Sequence, residues 1–201
     1  MAVNMIKGKP VSFDKQEAGL MTVELNWENP HVDIDLDCII EMADSPGPYY
    51  NFAQMKRYET KIIILQNLSQ VRGRIGRVPF VTLSGDARVG GTGAEEGKEV
   101  LTFNLARSNR ISRALVYAWN YTTGSLKSAG NARVTVHHPT LGDYYFDFNN
   151  VKEQTAVLLD IRCDAHGNLT LNRLDHFTND TQTGIDAYYQ WPRIDWKPTT
   201  K

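Results

Sequence analysis

Apolar and polar residues alternate with period two along Met21 to Trp27 and again along Val32 to Ile40, as in half-buried β-strands. Short β-branched or aromatic runs follow at Lys61 to Leu65, Pro79 to Leu83 and Val100 to Leu105. Others lie at Arg113 to Tyr121, Ala132 to His137, Tyr144 to Phe148, Ala156 to Cys163 and Leu169 to Leu174. Turn formers separate them: Asn29-Pro30, Ser45 to Pro48, Gly90-Gly91, Thr123-Gly124, Pro139 with Gly142, and Asp164 to Asn168. This spacing, with few helical periods, predicts an all-β chain: a jelly-roll-like β-sandwich of two sheets with short helical insertions. Leu115 to Trp119 is apolar on both faces and reads as a central strand. Asn51 to Tyr58 is the candidate helix. No linker or repeat interrupts the pattern, so residues 1–201 read as one domain.

Composition narrows the functional classes. Hydrophobic residues make up 41% and charged residues 22%, a balance that can bury a core and excludes disorder. Lysine and arginine number 22 against 23 acids, so 22 − 23 leaves a net charge of −1. No global basic field exists to hold nucleic acid. No apolar run approaches the ~20 residues that span a bilayer, and Met1 to Phe13 lacks the apolar core of a secretory signal. Cys38 and Cys163 are far apart with no CxxC. They read as two buried thiols in a reducing cytosol, not as a redox or zinc centre.

The acidic alternation is the first candidate for chemistry. In a strand, Asp33, Asp35 and Asp37 project from one face while Val32, Ile34, Leu36 and Cys38 project from the other. Successive carboxylates then sit roughly 7 Å apart, two rises of about 3.3 Å. At an effective dielectric near 20, each pair repels by about 2 kcal/mol. Such a row wants a cation or basic partners if the face is partly buried. A solvated edge strand that uses charge to repel intermolecular pairing fits the same pattern.

The second candidate runs from Ser84 to Glu99, a glycine-rich acidic loop leading into a strand. Glycines let a backbone wrap closely and turn its carbonyls inward, and Asp86, Glu95, Glu96 and Glu99 add hard oxygen ligands. Calcium takes six to eight such oxygens at flexible geometry. Phosphate does not suit the loop, because Gly97-Lys98 precedes Glu99 where a phosphate loop has Ser or Thr. The plain alternative is a mobile polar loop.

Across nearly its whole length the chain resembles the tellurium-resistance TerD family, most closely its TerA-type members. The resemblance is carried by Lys7 to Ser12, Val23 to Trp27, Val32 to Leu36, Pro79 to Asp86, Ala114 to Trp119 and Tyr188 to Trp191. It implies a calcium-binding β-sandwich of bacterial stress and tellurite-resistance systems. It also implies no established enzymatic activity, and partners among other Ter proteins, some at the inner membrane face. Asp33, Asp35, Asp86 and Glu99 match the family positions best. After Asp86 the family continues with Asn or Asp and then Arg-Thr-Gly, where this chain has Ala87 to Gly90. The family's paired acids before its last Glu stand here as Gly97-Lys98. Lost oxygens and an added ammonium imply a single or weakened calcium site, with Glu95 and Glu96 as compensating ligands.

Other groups have plainer readings. His137 and His138 read as a turn-proximal surface pair, and His166 as a hairpin residue. His176 has no motif supplying a serine partner. Arg72, Arg74 and Arg77 read as a solvated basic loop. The aromatic stretch Tyr188 to Trp196 is expected to dock on the sandwich. The expected function is therefore a cytoplasmic, non-enzymatic calcium-binding component of a tellurite-resistance or stress assembly. Two rivals are a calcium-dependent carbohydrate-binding module, which needs an exposed aromatic platform beside the acidic loop, and a hydrolase, which needs a perturbed acid or nucleophile in a cleft.

Overall fold

The structure, a computed structural model, describes residues 5–13, 19–42, 62–65, 81–84, 87, 89–91, 97–106, 111–122 and 124–189. Eleven strands are described: β1 (Val11–Phe13), β2 (Leu20–Asn26), β3 (Ile34–Met42), β4 (Ile62–Leu65), β5 (Val81–Leu83), β6 (Lys98–Asn104), β7 (Ile111–Asn120), β8 (Arg133–His138), β9 (Gly142–Asp147), β10 (Thr155–Cys163) and β11 (Leu169–Thr178). A 3-10 turn at Leu126–Ala129 and a helix, α1 (Gln182–Tyr188), complete the described elements. Every run predicted as a strand from its pattern is one. β1 is too short, at three residues, to show a period. The predicted helix over Asn51 to Tyr58 lies outside the described residues.

The strands form two antiparallel sheets, ordered β1-β11-β10-β7-β3-β4 and β5-β6-β2-β8-β9. The chain is an all-β sandwich. Its core lies between the sheets, where Val23, Leu25, Leu101, Phe103, Val134, Val136 and Phe146 meet Ile34, Leu36, Cys38, Val116, Ala118 and Leu158. Each Val, Leu, Ile or Phe among these contributes about 1.5–3 kcal/mol by leaving water, offset by the conformational entropy of ordering the chain.

A second apolar cluster covers the other face of the six-stranded sheet: Ile39, Leu115, Tyr117, Val157 and Ile185, with Trp119, Leu174 and Tyr189 against it. This is why β7 is apolar on both faces, as a central strand should be. The outer face of the five-stranded sheet instead carries ion pairs, Lys98–Glu24 at 2.8 Å and Arg133–Asp147 at 3.1 Å.

Two side-chain expectations are corrected. Cys38 is buried but Cys163 is only half-buried, and neither is in a disulfide. His138 is not a surface group: it is 3% exposed, and its Nδ1 accepts the N–H groups of Thr140 and Leu141 at 3.2 and 3.1 Å. Alternation turns His138 inward and leaves His137 outward, 2.9 Å from Asp143. His166 does sit in the β10–β11 turn, where Asp164 accepts its N–H and that of Asn168, each at 2.8 Å.

Candidate functional site

The acidic segment occupies the first half of β3. β7 pairs with one side of β3 throughout, whereas β4 covers the opposite side only from Cys38 to Glu41. Ile34, Leu36, Cys38 and Ile40 enter the core, and Ile39 joins the outer cluster. Asp35 and Asp37 therefore lie on the Ile39 side, opposite Trp119 and Tyr117 of β7. They are not solvated: Asp35 is 2% and Asp37 0% exposed, and Asp33 is half-buried. Buried carboxylates persist only where cations or hydrogen-bond donors offset their desolvation. Asp37 in turn raises the pKa of Cys38, second to burial itself.

Glu99 reaches the same half of β3 from the other sheet. On β6 the inward positions are Glu99, Leu101 and Phe103, which places a carboxylate on the core side at 1% exposure. Its Oε2 accepts the N–H of Leu36 at 2.7 Å, on the β3 edge that β4 leaves uncovered. Its Oε1 accepts the N–H of Ala87 at 3.1 Å. Charge-assisted bonds of this kind contribute about 1.5–3 kcal/mol each, which offsets burial of the charge. An acid in the inward register of an otherwise apolar strand was the sequence signal for this; its two backbone partners had none.

The loop before Glu99 is anchored on Trp27. The Trp27 N–H donates to the Gly97 carbonyl at 2.9 Å, and the Gly91 N–H donates to the Trp27 carbonyl at 3.2 Å. A Cβ on Gly97 would lie 2.1 Å from the Trp27 carbonyl oxygen, and one on Gly90 2.3 Å from that of Asn29. The Trp27 indole is itself fixed by donating Nε1–H to the Val32 carbonyl at 2.7 Å. These glycines therefore serve close packing against the loop that leads into the acidic strand. Asn29 and Glu28 also donate backbone N–H groups to Ala129 and Gly130, so three loops meet at this end.

Asp86, Glu95 and Glu96 lie outside the described residues. Among those described, no group of three or more His, Cys, Asp or Glu side chains forms a metal cage. What the described residues bring together is one acidic strand and one buried carboxylate that joins it to Ala87. Lys98, expected near a bound cation, points the other way: its ammonium pairs with Glu24 on the outer face, because neighbours in a strand face oppositely.

Arg72, Arg74 and Arg77 lie outside the described residues. His176 shares a 2.7 Å hydrogen bond with the Tyr189 hydroxyl, on the same outer face as α1.

No family model matches the sequence, and no curated protein sequence matches it. Solved structures do. One, a crystal structure of the unknown-function protein SAV2460, aligns with a TM-score of 0.61 at 17% identity over 89% of this chain and 99% of that one. Another is a homologue of the telluride resistance protein TerD, SCO6318 from Streptomyces coelicolor A3(2). It aligns with a TM-score of 0.60 at 18% identity over 85% of this chain and 95% of that one. The fold is TerD-like. At these identities the likeness concerns the fold alone, and the TerD-like sandwich is the frame on which the acidic segment sits. No described helix is long and apolar enough to cross a membrane.

Proposed function

We propose that this TerD-like chain, of the TerA type, is a calcium-binding, non-enzymatic component of a bacterial tellurite-resistance or stress-response system. It works in the cytoplasm through assembly with other Ter-family proteins, some at the inner membrane face. The observation that supports this most is the burial of Asp35 and Asp37 on the strand that Glu99 joins to the glycine loop. The donor chemistry fits calcium: carboxylates and turned carbonyls are the hard oxygens it takes. Asp33, Asp35 and Asp37 from the strand and Asp86, Glu95 and Glu96 from the loop are the candidate ligands, and Glu99 joins the strand to the loop. The ion, when bound, would neutralise acids that otherwise repel.

An ion that binds only the folded state adds RT ln(1 + [L]/Kd), about 2.7 kcal/mol at a hundredfold excess over Kd. Melting temperature is expected to rise with calcium and to fall with chelator. Identical melting curves in the two conditions would overturn the calcium reading.

One observation favours a second reading, calcium-dependent carbohydrate binding. Tyr121 is 59% exposed, stands edge-on to Trp119 at 5.5 Å, and donates its N–H to the Asp33 carbonyl. It is an aromatic surface beside the acidic strand, suited to a sugar face. A glycan array with and without calcium tests this, and binding that survives Tyr121→Ala counts against it.

A further inference from the structure

Glu99 belongs to the five-stranded sheet, yet both its oxygens accept backbone N–H groups that lie outside that sheet's ladder: Leu36 at 2.7 Å and Ala87 at 3.1 Å. It approaches β3 from the core side, whereas Asp35 and Asp37 lie on the opposite face. With β3 between them, Glu99 does not face the ion that Asp35 and Asp37 would hold; its two oxygens instead tie Leu36 of the acidic strand to Ala87 of the loop. The span also needs the full glutamate side chain, since one carboxylate must reach two backbones belonging to different segments.

We infer that Glu99 is a positioning residue for the calcium site proposed above, a bracket that holds the acidic strand against the glycine loop, and not one of the ion's ligands. Its functional consequence rests on the calcium reading, but the bracket itself does not, and the test separates the two. It also accounts for a TerD-like chain keeping this acid while Ala87 and Gly97 offer no side-chain oxygen: Ala87 takes part through its N–H.

The test compares the full chain with Glu99→Gln and Glu99→Asp by amide hydrogen exchange in chelator, followed by calorimetric titration with calcium chloride. Glu99→Gln keeps the shape but removes the charge and one acceptor. Glu99→Asp keeps the charge but is one methylene short. Both are expected to speed exchange at the Leu36 and Ala87 amides by roughly tenfold or more in the metal-free protein, and both to weaken calcium binding. Unchanged exchange in both variants overturns the bracket. So does Glu99→Asp behaving as the parent while Glu99→Gln loses calcium affinity, because charge alone would then suffice. If the parent chain shows no calcium response but the amides open as expected, the calcium reading fails and the bracket stands.

Discussion

Asp35 tests the two meanings of an acidic row. It is the middle carboxylate, 2% exposed, with Asp37 on the same side of β3 and Asp33 just before the strand. If it is a ligand, Asp35→Asn keeps the shape, removes one charge and weakens calcium binding, as calorimetry would read. If the row only repels itself, the same change raises the melting temperature in chelator and leaves any calcium response alone. Gly97 makes a sharper claim. Its φ is +58°, and an added Cβ would strike the Trp27 backbone, which has no rotamer to yield. Gly97→Ala is expected to cost about 1–3 kcal/mol in denaturant unfolding. A loss below about half a kcal/mol would show that the loop is loosely held. Replacing Lys98 with an acid, which the family pattern suggests, would not add a ligand here. It would set two acids side by side where Lys98 now pairs with Glu24.

At the scale of elements, α1 depends on docking. Seven residues are too few for a stable isolated helix, and no side chain caps its start. It is fixed by Ile185, 1% exposed in the outer cluster, and by Tyr189 just past its end. The Tyr189 carbonyl accepts from Arg113 at 3.2 Å, and Arg113 is held by Asp160 at 2.9 Å. The docking expected of the Tyr188 to Trp196 stretch is thus seen as far as Tyr189, and the rest lies outside the described residues. Ile185→Ala should cost about 2 kcal/mol or more. Exchange at the Ile185 and Tyr189 amides, both bonded within this turn, should rise while β10 stays protected. Equal loosening of α1 and β10 would mean that the helix and the sandwich unfold as one unit.

Over the whole molecule, acid should destabilise in two steps. Burial holds His176 below its usual pKa of 6.5, with Asp180 opposing and Lys7 assisting. The folded state therefore binds fewer protons than the unfolded chain below pH 6.5, and stability falls as pH drops through that window. Asp147 is held low by the Asn149 N–H and then Arg133, and Asp164 by the N–H of Asn168. For these acids the contribution is present above the unfolded value near 4 and is lost as pH falls through the folded one. His176→Gln keeps an acceptor for the Tyr189 hydroxyl but does not titrate. It should remove the first step in a urea series from pH 7 to 5 and leave the second. A slope unchanged between pH 7 and 5 would place the first step on another group.

Period-two alternation in two segments, with short β-branched or aromatic runs between turn formers elsewhere, was enough to predict the all-β fold and nearly every strand, because burial on a pleated sheet selects those residues. Alternation also placed Asp33, Asp35 and Asp37 on one side, whereas Glu99, read from sequence as a loop acid, is an inward strand residue beside Leu101 and Phe103. What alternation cannot say is whether the polar side is wet. Asp35 and Asp37 are buried because the six-stranded sheet is covered on its outer face, a fact of tertiary packing. The β10 bulge between Val157 and Leu159 is likewise hidden in a continuous apolar run. It turns both Leu158 and Leu159 into the core and returns Asp160 to the outer face beside Arg113. His138 reads as a surface histidine until the turn folds back to donate two N–H groups to it. The Glu99 bracket joins residues 63 positions apart in sequence, and backbone amides leave no mark on composition. Local pattern determined which residues form strands and, away from the β10 bulge, which way they face; only tertiary packing decided what each face meets.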